Sequence, residues 1–359
     1  MTNILCNSQF FHQRFGGVTR YSSCLIEKMI KNRINFKICA PLYKNSYIKK
    51  IDKKYVFGIH VFKYPNILIL RYINNSISKF FLKDNKNKLI HFMYDPEYHP
   101  KSLSQKKILT IHDLVHEKFK ASYKDDFFLK RKKLLEIVDK IICVSENTKK
   151  DLIEFYNLDN KKINVIYNGG DHLNNVLTSE KSKKINEKPY ILYVGSRSKY
   201  KNFRLFIESY GKSKRLVDGF KIVCFGGGNF SKAEINFFEE LKISNNINLI
   251  SGDDATLKHY YKNASLFVYP SLYEGFGLSI LEAMNTGCPV LVSDIPVFRE
   301  ILNDNTNFFD PESHEDLIFK MEKILFNNDY KSELISNGKE ISKKYLWSSC
   351  YKKTMNLYN

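Results

Sequence analysis

The sequence predicts an α/β protein built from two similar open parallel sheets, and three observations carry this. Short apolar runs recur along all 359 residues, each followed by a longer amphipathic stretch. Many of the runs are rich in β-branched and aromatic residues, which suits strands buried on both faces of a parallel sheet. A polar stretch near the middle separates two sets of such runs. Alternating strands and helices make the α/β pattern. At roughly 100–200 residues per domain, the length fits two domains.

In the first half the runs are Ile4–Cys6, Phe36–Ala40, Leu89–Met93, Ile108–Ile111, Ile141–Val144 and Val165–Tyr167. In the second they are Ile191–Val194, Ile222–Phe225, Ile247–Ile250, Leu266–Tyr269 and Val290–Val292. Stretches such as Arg20–Ile30 and Tyr200–Gly211 suit the helices between them. The polar stretch opens Asn168-Gly-Gly-Asp171 and runs to Pro189. It predicts a first domain over 1–170, a linker over 171–188 and a second domain over 189–341. A last helix over 342–359 carries Trp347, the only tryptophan, and is expected to pack back on the first domain. Open sheets bind ligands at the carboxyl ends of their strands, so two of them predict a cleft lined by those ends.

Composition narrows the class. Hydrophobic residues make up 43% and charged residues 26%, as in an ordinary soluble protein. No apolar run approaches the about 20 residues of a membrane helix. Met1–Asn7 has no charged region, apolar stretch or cleavage site of a signal peptide, so a cytoplasmic protein is expected. Seven widely spaced cysteines with no C-x-x-C read as buried thiols rather than disulfides or a zinc site. Residues 1–150 hold 30 Lys and Arg against 12 Asp and Glu, whereas residues 151–359 hold 27 against 26. A cationic first half points to an anionic partner: a membrane, a nucleic acid or a polyphosphate.

The residues that can carry chemistry follow strand ends. Tyr269–Pro289 reads as a strand end, a glycine-rich turn led by Glu274, and a helix that begins near Gly277 and carries Glu282. Amides at a helix start cradle phosphates or sugar hydroxyls, and a carboxylate accepts two hydrogen bonds from a ribose diol. Arg197 and Lys201 follow the run Ile191–Val194 and suit a pyrophosphate, one as a fork and one as a point charge. Lys199 is a spare cation between them. Gly16 and Gly17 lie between the first strand and the first helix, where a backbone comes close to a phosphate or sugar. His112 ends a strand, and Asp113 either orients it or caps the next element. His91 and Asp95 follow a further strand end. Gly226 to Gly228 and Ser251 follow two further strands.

The pair Glu274 and Glu282, with seven residues between them and flanked by Pro-Ser and Gly-Cys-Pro-Val, resembles the E-x7-E region of glycosyltransferase family 4. That resemblance implies the GT-B fold, α/β with two Rossmann-like domains facing across a cleft, and transfer with retained anomeric configuration. It implies that Glu274 and the amides of Gly275, Phe276, Gly277 and Leu278 hold the donor sugar, while Glu282 binds the ribose. It places Arg197 and Lys201 on the diphosphate, Gly16 and Gly17 by the diphosphate and acceptor, and His112 beside the transferred sugar, with Asp113 in support. Arg20 would help to steer an anionic acceptor, His91 and Asp95 would line the acceptor side or cap a loop, and Gly226 to Gly228 and Ser251 would be contacts to the nucleotide base.

No D-x-D triplet is present and no His/Cys cluster has ligand spacing, so metal-independent transfer without a cofactor is expected. The segments around Arg197 and His112 resemble mannosyl- and perosaminyl-transferase-like members of surface-polysaccharide pathways. They imply a GDP-sugar as donor and, as acceptor, a lipid-linked glycan of lipopolysaccharide O-antigen or capsule. A UDP-sugar transferase, a nucleotide-sugar epimerase and a nucleic-acid-binding protein are the alternatives. The cationic first half suits a peripheral position at an anionic inner leaflet. Lys118–Lys140, with Phe127, Phe128 and Lys130-Arg-Lys-Lys133, either lies on that membrane or forms a solvated basic helix.

Overall fold

The structure, a computed structural model, describes residues 2–62, 66–84, 89–96, 105–120, 126–177, 188–303 and 307–359. Most of the expected linker, 178–187, lies outside these residues, as do 121–125 of the basic stretch. The chain forms two compact units: Met1–Asn168 with Trp347–Asn359, and Gly169–Leu346.

The first unit holds strands β1 (Asn3–Cys6), β2 (Phe36–Tyr43), β3 (Val56–His60), β4 (Leu89–Phe92), β5 (Lys106–Ile111), β6 (Lys140–Cys143) and β7 (Ile163–Val165). The second holds β8 (Tyr190–Val194), β9 (Lys221–Phe225), β10 (Ile247–Ile250), β11 (Leu266–Tyr269), β12 (Val290–Ser293) and β13 (Asn307–Phe309). The helices that matter below are α1 (Gly17–Lys31), α2 (Ile67–Asp84), α3 (Asp126–Ile137), α4 (Phe203–Lys212), α5 (Lys232–Glu240), α6 (Asp254–Asn263), α7 (Leu278–Asn285) and α8 (Trp347–Tyr358).

Each apolar run overlaps a strand, and two strands have no run. β3 is an edge strand interrupted by Gly58, with no fully buried side chain, and β13 is three residues led by Asn307, so neither shows a long apolar signature. The strand orders are β3-β2-β1-β4-β5-β6-β7 and β10-β9-β8-β11-β12-β13, parallel throughout. Both are doubly wound Rossmann orders, which reverse direction between β1 and β4 and between β8 and β11. At such a reversal neighbouring loops diverge to opposite faces and leave a crevice at the strand ends.

Each unit has its own core. In the second, Tyr193, Phe203, Phe206, Tyr210 and Phe238 cluster between sheet and helices. In the first, α8 returns to pack its buried Trp347 on Tyr21 of α1, with ring centroids 6.1 Å apart. Burying a side chain of this size contributes about 1.5–3 kcal/mol or more. The returning helix is shorter than the expected 342–359: the helix before it, Asn328–Ser342, lies in the second unit. All seven cysteines are buried and free.

His91 corrects the sequence reading. It lies within β4, not after it, and is fully buried. Its Nδ1 is 2.8 Å from the Tyr358 hydroxyl of α8 and its Nε2 is 2.8 Å from the Thr110 hydroxyl of β5. A side chain so enclosed cannot meet an acceptor. Burial, with a smaller contribution from His112, lowers its pKa to about 3.

Candidate active site

In the second unit the loops after β8 and β11 flank the reversal of strand order, and backbone pairing ties them together. The Leu272 amide donates to the Tyr200 carbonyl at 2.8 Å. The loop after β8 closes in a short 3₁₀ turn, Lys199–Lys201, and Asn202 then takes a left-handed conformation that starts α4. This aims Lys201 at the β11 loop. Its Nζ lies 2.5 Å from Glu274 Oε1 and 3.3 Å from the Tyr269 hydroxyl. The two charged side chains are only 13% and 12% exposed. Burial works against the Lys201 charge, but Glu274, Tyr269 and Tyr200 outweigh it and hold the ammonium well above the ordinary lysine pKa. A lysine kept charged, a carboxylate and a helix start therefore share one crevice. Lys199 stays exposed outside it.

Gly275, Phe276 and Gly277 turn the chain from Glu274 into α7. Gly277 has φ +100, and a Cβ there would lie 2.9 Å from Phe298 Cε1. Glycine thus allows a sharp entry that leaves the first amides of α7 at the crevice. Leu278 opens the helix.

Glu282 is placed otherwise than the sequence suggested. It is 4% exposed, so it reaches a ligand only where its present partners give way. The Tyr261 hydroxyl of α6 donates to its Oε2 at 3.0 Å, and His172 Nε2 lies 3.0 Å from its Oε1. The segment bearing His172 reaches α7 because Gly170 lacks a side chain: a Cβ there would meet Leu281 Cβ at 2.5 Å. Sequence reasoning missed His172, Tyr261 and Tyr269. The Gly169-Gly170 pair beside His172 was the one available signal, and it reads as a linker.

Arg197 is also placed differently. Its guanidinium clamps the loop after β9, donating to the carbonyls of Gly226 (3.2 Å), Gly228 (3.0 Å) and Asn229 (2.9 Å). Its Nε donates to Glu234 Oε1 of α5 at 2.6 Å. Burial raises the Glu234 pKa, but the Ser231 amide and Arg197 outweigh it and hold it below the usual glutamate value. Arg197 and Lys201 thus leave one loop in different directions, and only Lys201 meets Glu274. Ser251, the other candidate base contact, is exposed after β10.

In the first unit, the expected glycine pair lies at the start of α1, with Gly16 as its N-cap and open space beside Gly17. Arg20 is not at a surface. It is 7% exposed, with its guanidinium 4.4 Å from the Tyr47 ring centroid, so the acceptor-steering expectation is corrected. His112 Nε2 donates to the Met93 carbonyl at 2.8 Å, and burial is the main cause of its lowered pKa. A neutral ring bonded this way presents Nδ1 as an acceptor. Asp113 caps the next turn through the Val115 amide at 3.1 Å.

Arg131 was expected within a basic surface cluster but is buried. It pairs with Asp95 (2.5 Å) and Glu117 (2.8 Å). Phe127 stacks on His116 and Phe128 on Tyr156, at 4.0 and 4.7 Å between centroids, so both rings are spent inside the unit. A pocket of about 610 Å³ lies in this unit, lined by Arg71, Tyr72, Tyr94, His116, Lys130 and Arg131 among others.

Known proteins agree with this architecture. Residues 15–172 match the model of Glycosyltransferase Family 4, and residues 177–341 match that of Glycosyl transferases group 1. The O-antigen chain mannosyltransferase RfbU of Salmonella typhimurium is 30% identical over 229 residues, covering 61% of this chain and 60% of that one. The match thus spans about three fifths of that relative. An uncharacterized glycosyltransferase of Methanocaldococcus jannaschii, MJ1178, is 29% identical over 357 residues, covering 95% and 93%. Sucrose-phosphate synthase from Thermosynechococcus elongatus has the same fold, with a TM-score of 0.82 at 18% identity over 100% of this chain and 98% of that one. With two doubly wound sheets and the two matched domains in sequence, the chain belongs to the GT-B glycosyltransferases, a family 4 domain followed by a group 1 domain.

Proposed function

We propose that the protein is a retaining hexosyltransferase. It moves a mannose- or perosamine-type sugar from a GDP-sugar to a hydroxyl of a growing lipid-linked surface glycan, at the inner face of the cytoplasmic membrane. The observation that carries this is the Lys201–Glu274 pair beside the start of α7. A diphosphate entering there exchanges Lys201's partner, and Glu274 turns to the sugar hydroxyls. The amides of Gly275 to Leu278 add fixed dipoles. As the bond from C1 to the phosphate oxygen breaks, Lys201 stabilises the charge left on the diphosphate. The acceptor oxygen bonds to C1 on the same face, and its proton passes to the leaving phosphate oxygen. The family 4 resemblance assigns His112 of the first unit to sugar binding and catalysis. Glu282 binds the ribose once His172 yields, and Arg197 shapes the wall around the base.

The name of the Salmonella relative favours mannose and an O-antigen acceptor. Thermal shift with GDP-mannose, UDP-glucose and a dTDP-sugar tests the donor. A ligand at about 100 times its Kd stabilises by about 2.7 kcal/mol, so the true donor stands out. Stabilisation by a UDP-sugar alone overturns the GDP choice. Turnover is expected to be unchanged by EDTA, with an axial product anomer by NMR. Loss of turnover with EDTA, or an inverted product, refutes the reading.

A further inference from the structure

The helix α2 carries apolar side chains on both its faces. Its inward face buries Leu70 and Leu82 together with Asn74 and Ser78, and Asn74 is bonded to the Leu42 amide and carbonyl of β2 at 2.7 and 3.1 Å. Its outward face carries Leu68, Ile69, Tyr72, Ile73, Ile77 and Phe80, of which Leu68, Tyr72 and Phe80 are 67%, 75% and 71% exposed. Monomeric soluble proteins rarely expose so many apolar side chains on one face, and such a patch marks an interaction site. Lys79 and Lys83 lie among them on the same helix. Nearby, Phe62 is 76% exposed beneath the Lys49 ammonium, 4.9 Å from its ring centroid.

We infer that α2 is a membrane-seating helix: it lies flat on an anionic bilayer with its outward apolar face in the headgroup region. Charge complementarity selects this occupant. Residues 1–150 carry an excess of 18 positive charges, and the face itself mixes long aliphatic and aromatic side chains with lysines, the composition of interfacial helices. A second copy placed on the same face would bring these lysines together. At 18 residues α2 is about 27 Å long, and no helix among the described residues is long and apolar enough to cross a membrane, so it lies on the bilayer. The same helix supplies Arg71, Tyr72 and Asn75 to the 610 Å³ pocket, so a lipid phosphate can pass from the bilayer to that pocket along one element. The inference deepens the lipid-linked acceptor reading, which it assumes, and moves membrane contact from α3 to α2.

Co-sedimentation of the full chain tests it, using vesicles of phosphatidylcholine alone or mixed with phosphatidylglycerol. The wild type should bind the anionic vesicles. Ile69→Glu with Phe80→Glu, both at exposed positions, should keep the melting temperature and weaken binding by roughly a hundredfold, because each removes several buried CH₂ groups. Lys132→Ala with Lys133→Ala on α3 should bind within about twofold of wild type, as two peripheral charges with no apolar insertion. The inference is overturned if the wild type ignores anionic vesicles, if the α2 variant binds as tightly as wild type, if the α3 variant alone loses binding, or if the α2 change splits a dimer. Transfer to a short water-soluble acceptor, measured on the same samples, separates the two readings. Its absence with vesicle binding intact sinks the transferase reading and leaves α2 as the membrane contact.

Discussion

The Lys201–Glu274 pair is poised between stability and chemistry. Each side chain is mostly buried, so removing one strands the other's charge. Glu274→Gln or Lys201→Ala should therefore lower stability by about 1–3 kcal/mol, read as a melting shift. The pair should show a coupling of about 0.5–3 kcal/mol in a double-mutant cycle, and strict additivity would disprove the contact. Lys201→Ala should also cut turnover by about 10²–10³-fold, as loss of one charge stabiliser at a leaving group does. Glu274 and Lys201 were both legible from sequence as charges after strand ends. Their pairing was not, because 73 residues separate them.

The element that matters most is the turn into α7. Gly277 combines a left-handed φ with a crowded neighbourhood, whereas Gly195, φ +120, has nothing within 4 Å of a Cβ. Gly195→Ala should therefore cost only backbone strain, about 1–3 kcal/mol, and Gly277→Ala should cost more through its clash with Phe298. Gly277→Ala should also weaken donor binding by calorimetry, since the clash displaces the amides of α7. Equal melting shifts in the two variants would refute the steric part. The glycines were visible in the sequence, but the partner of a missing side chain is a tertiary fact. The Gly226–Gly228 loop makes the same point. It looked like a base contact, and it is held by Arg197, itself anchored on Glu234 of the next helix.

Across the whole molecule, buried histidine couples stability to pH. His91 titrates near its ordinary value of 6.5 when unfolded and at about 3 when folded. Between those values the unfolded chain binds the extra proton, so stability is full above about 6.5 and falls as pH drops toward 3. From pH 7 to 5 the loss from His91 alone is about 2 kcal/mol, at 1.36 kcal/mol per pH unit below 6.5. His91→Gln, which can still bond both hydroxyls, should flatten the fall in melting temperature over that range. An unchanged slope would show that His91 is not the buried neutral group. At this scale too, the +18 excess of residues 1–150 was plain from composition, while the surface that uses it was not.

The sequence by itself determined eleven of the thirteen described strands, the two-domain α/β plan and the residue types at most strand ends. Those depend on local apolar runs and on turn residues, which act over a few neighbours. Only the tertiary structure decided which charges meet. It sent Lys201 to Glu274 and Arg197 to a glycine loop, and it enclosed Glu282 with Tyr261 and His172. It also decided which way α2 faces. Ile67–Asp84 is apolar around most of its circumference, so its periodicity names no inner face. The hydrogen bonds between Asn74 and Leu42 choose one, because a buried amide must be paired and an exposed leucine need not be.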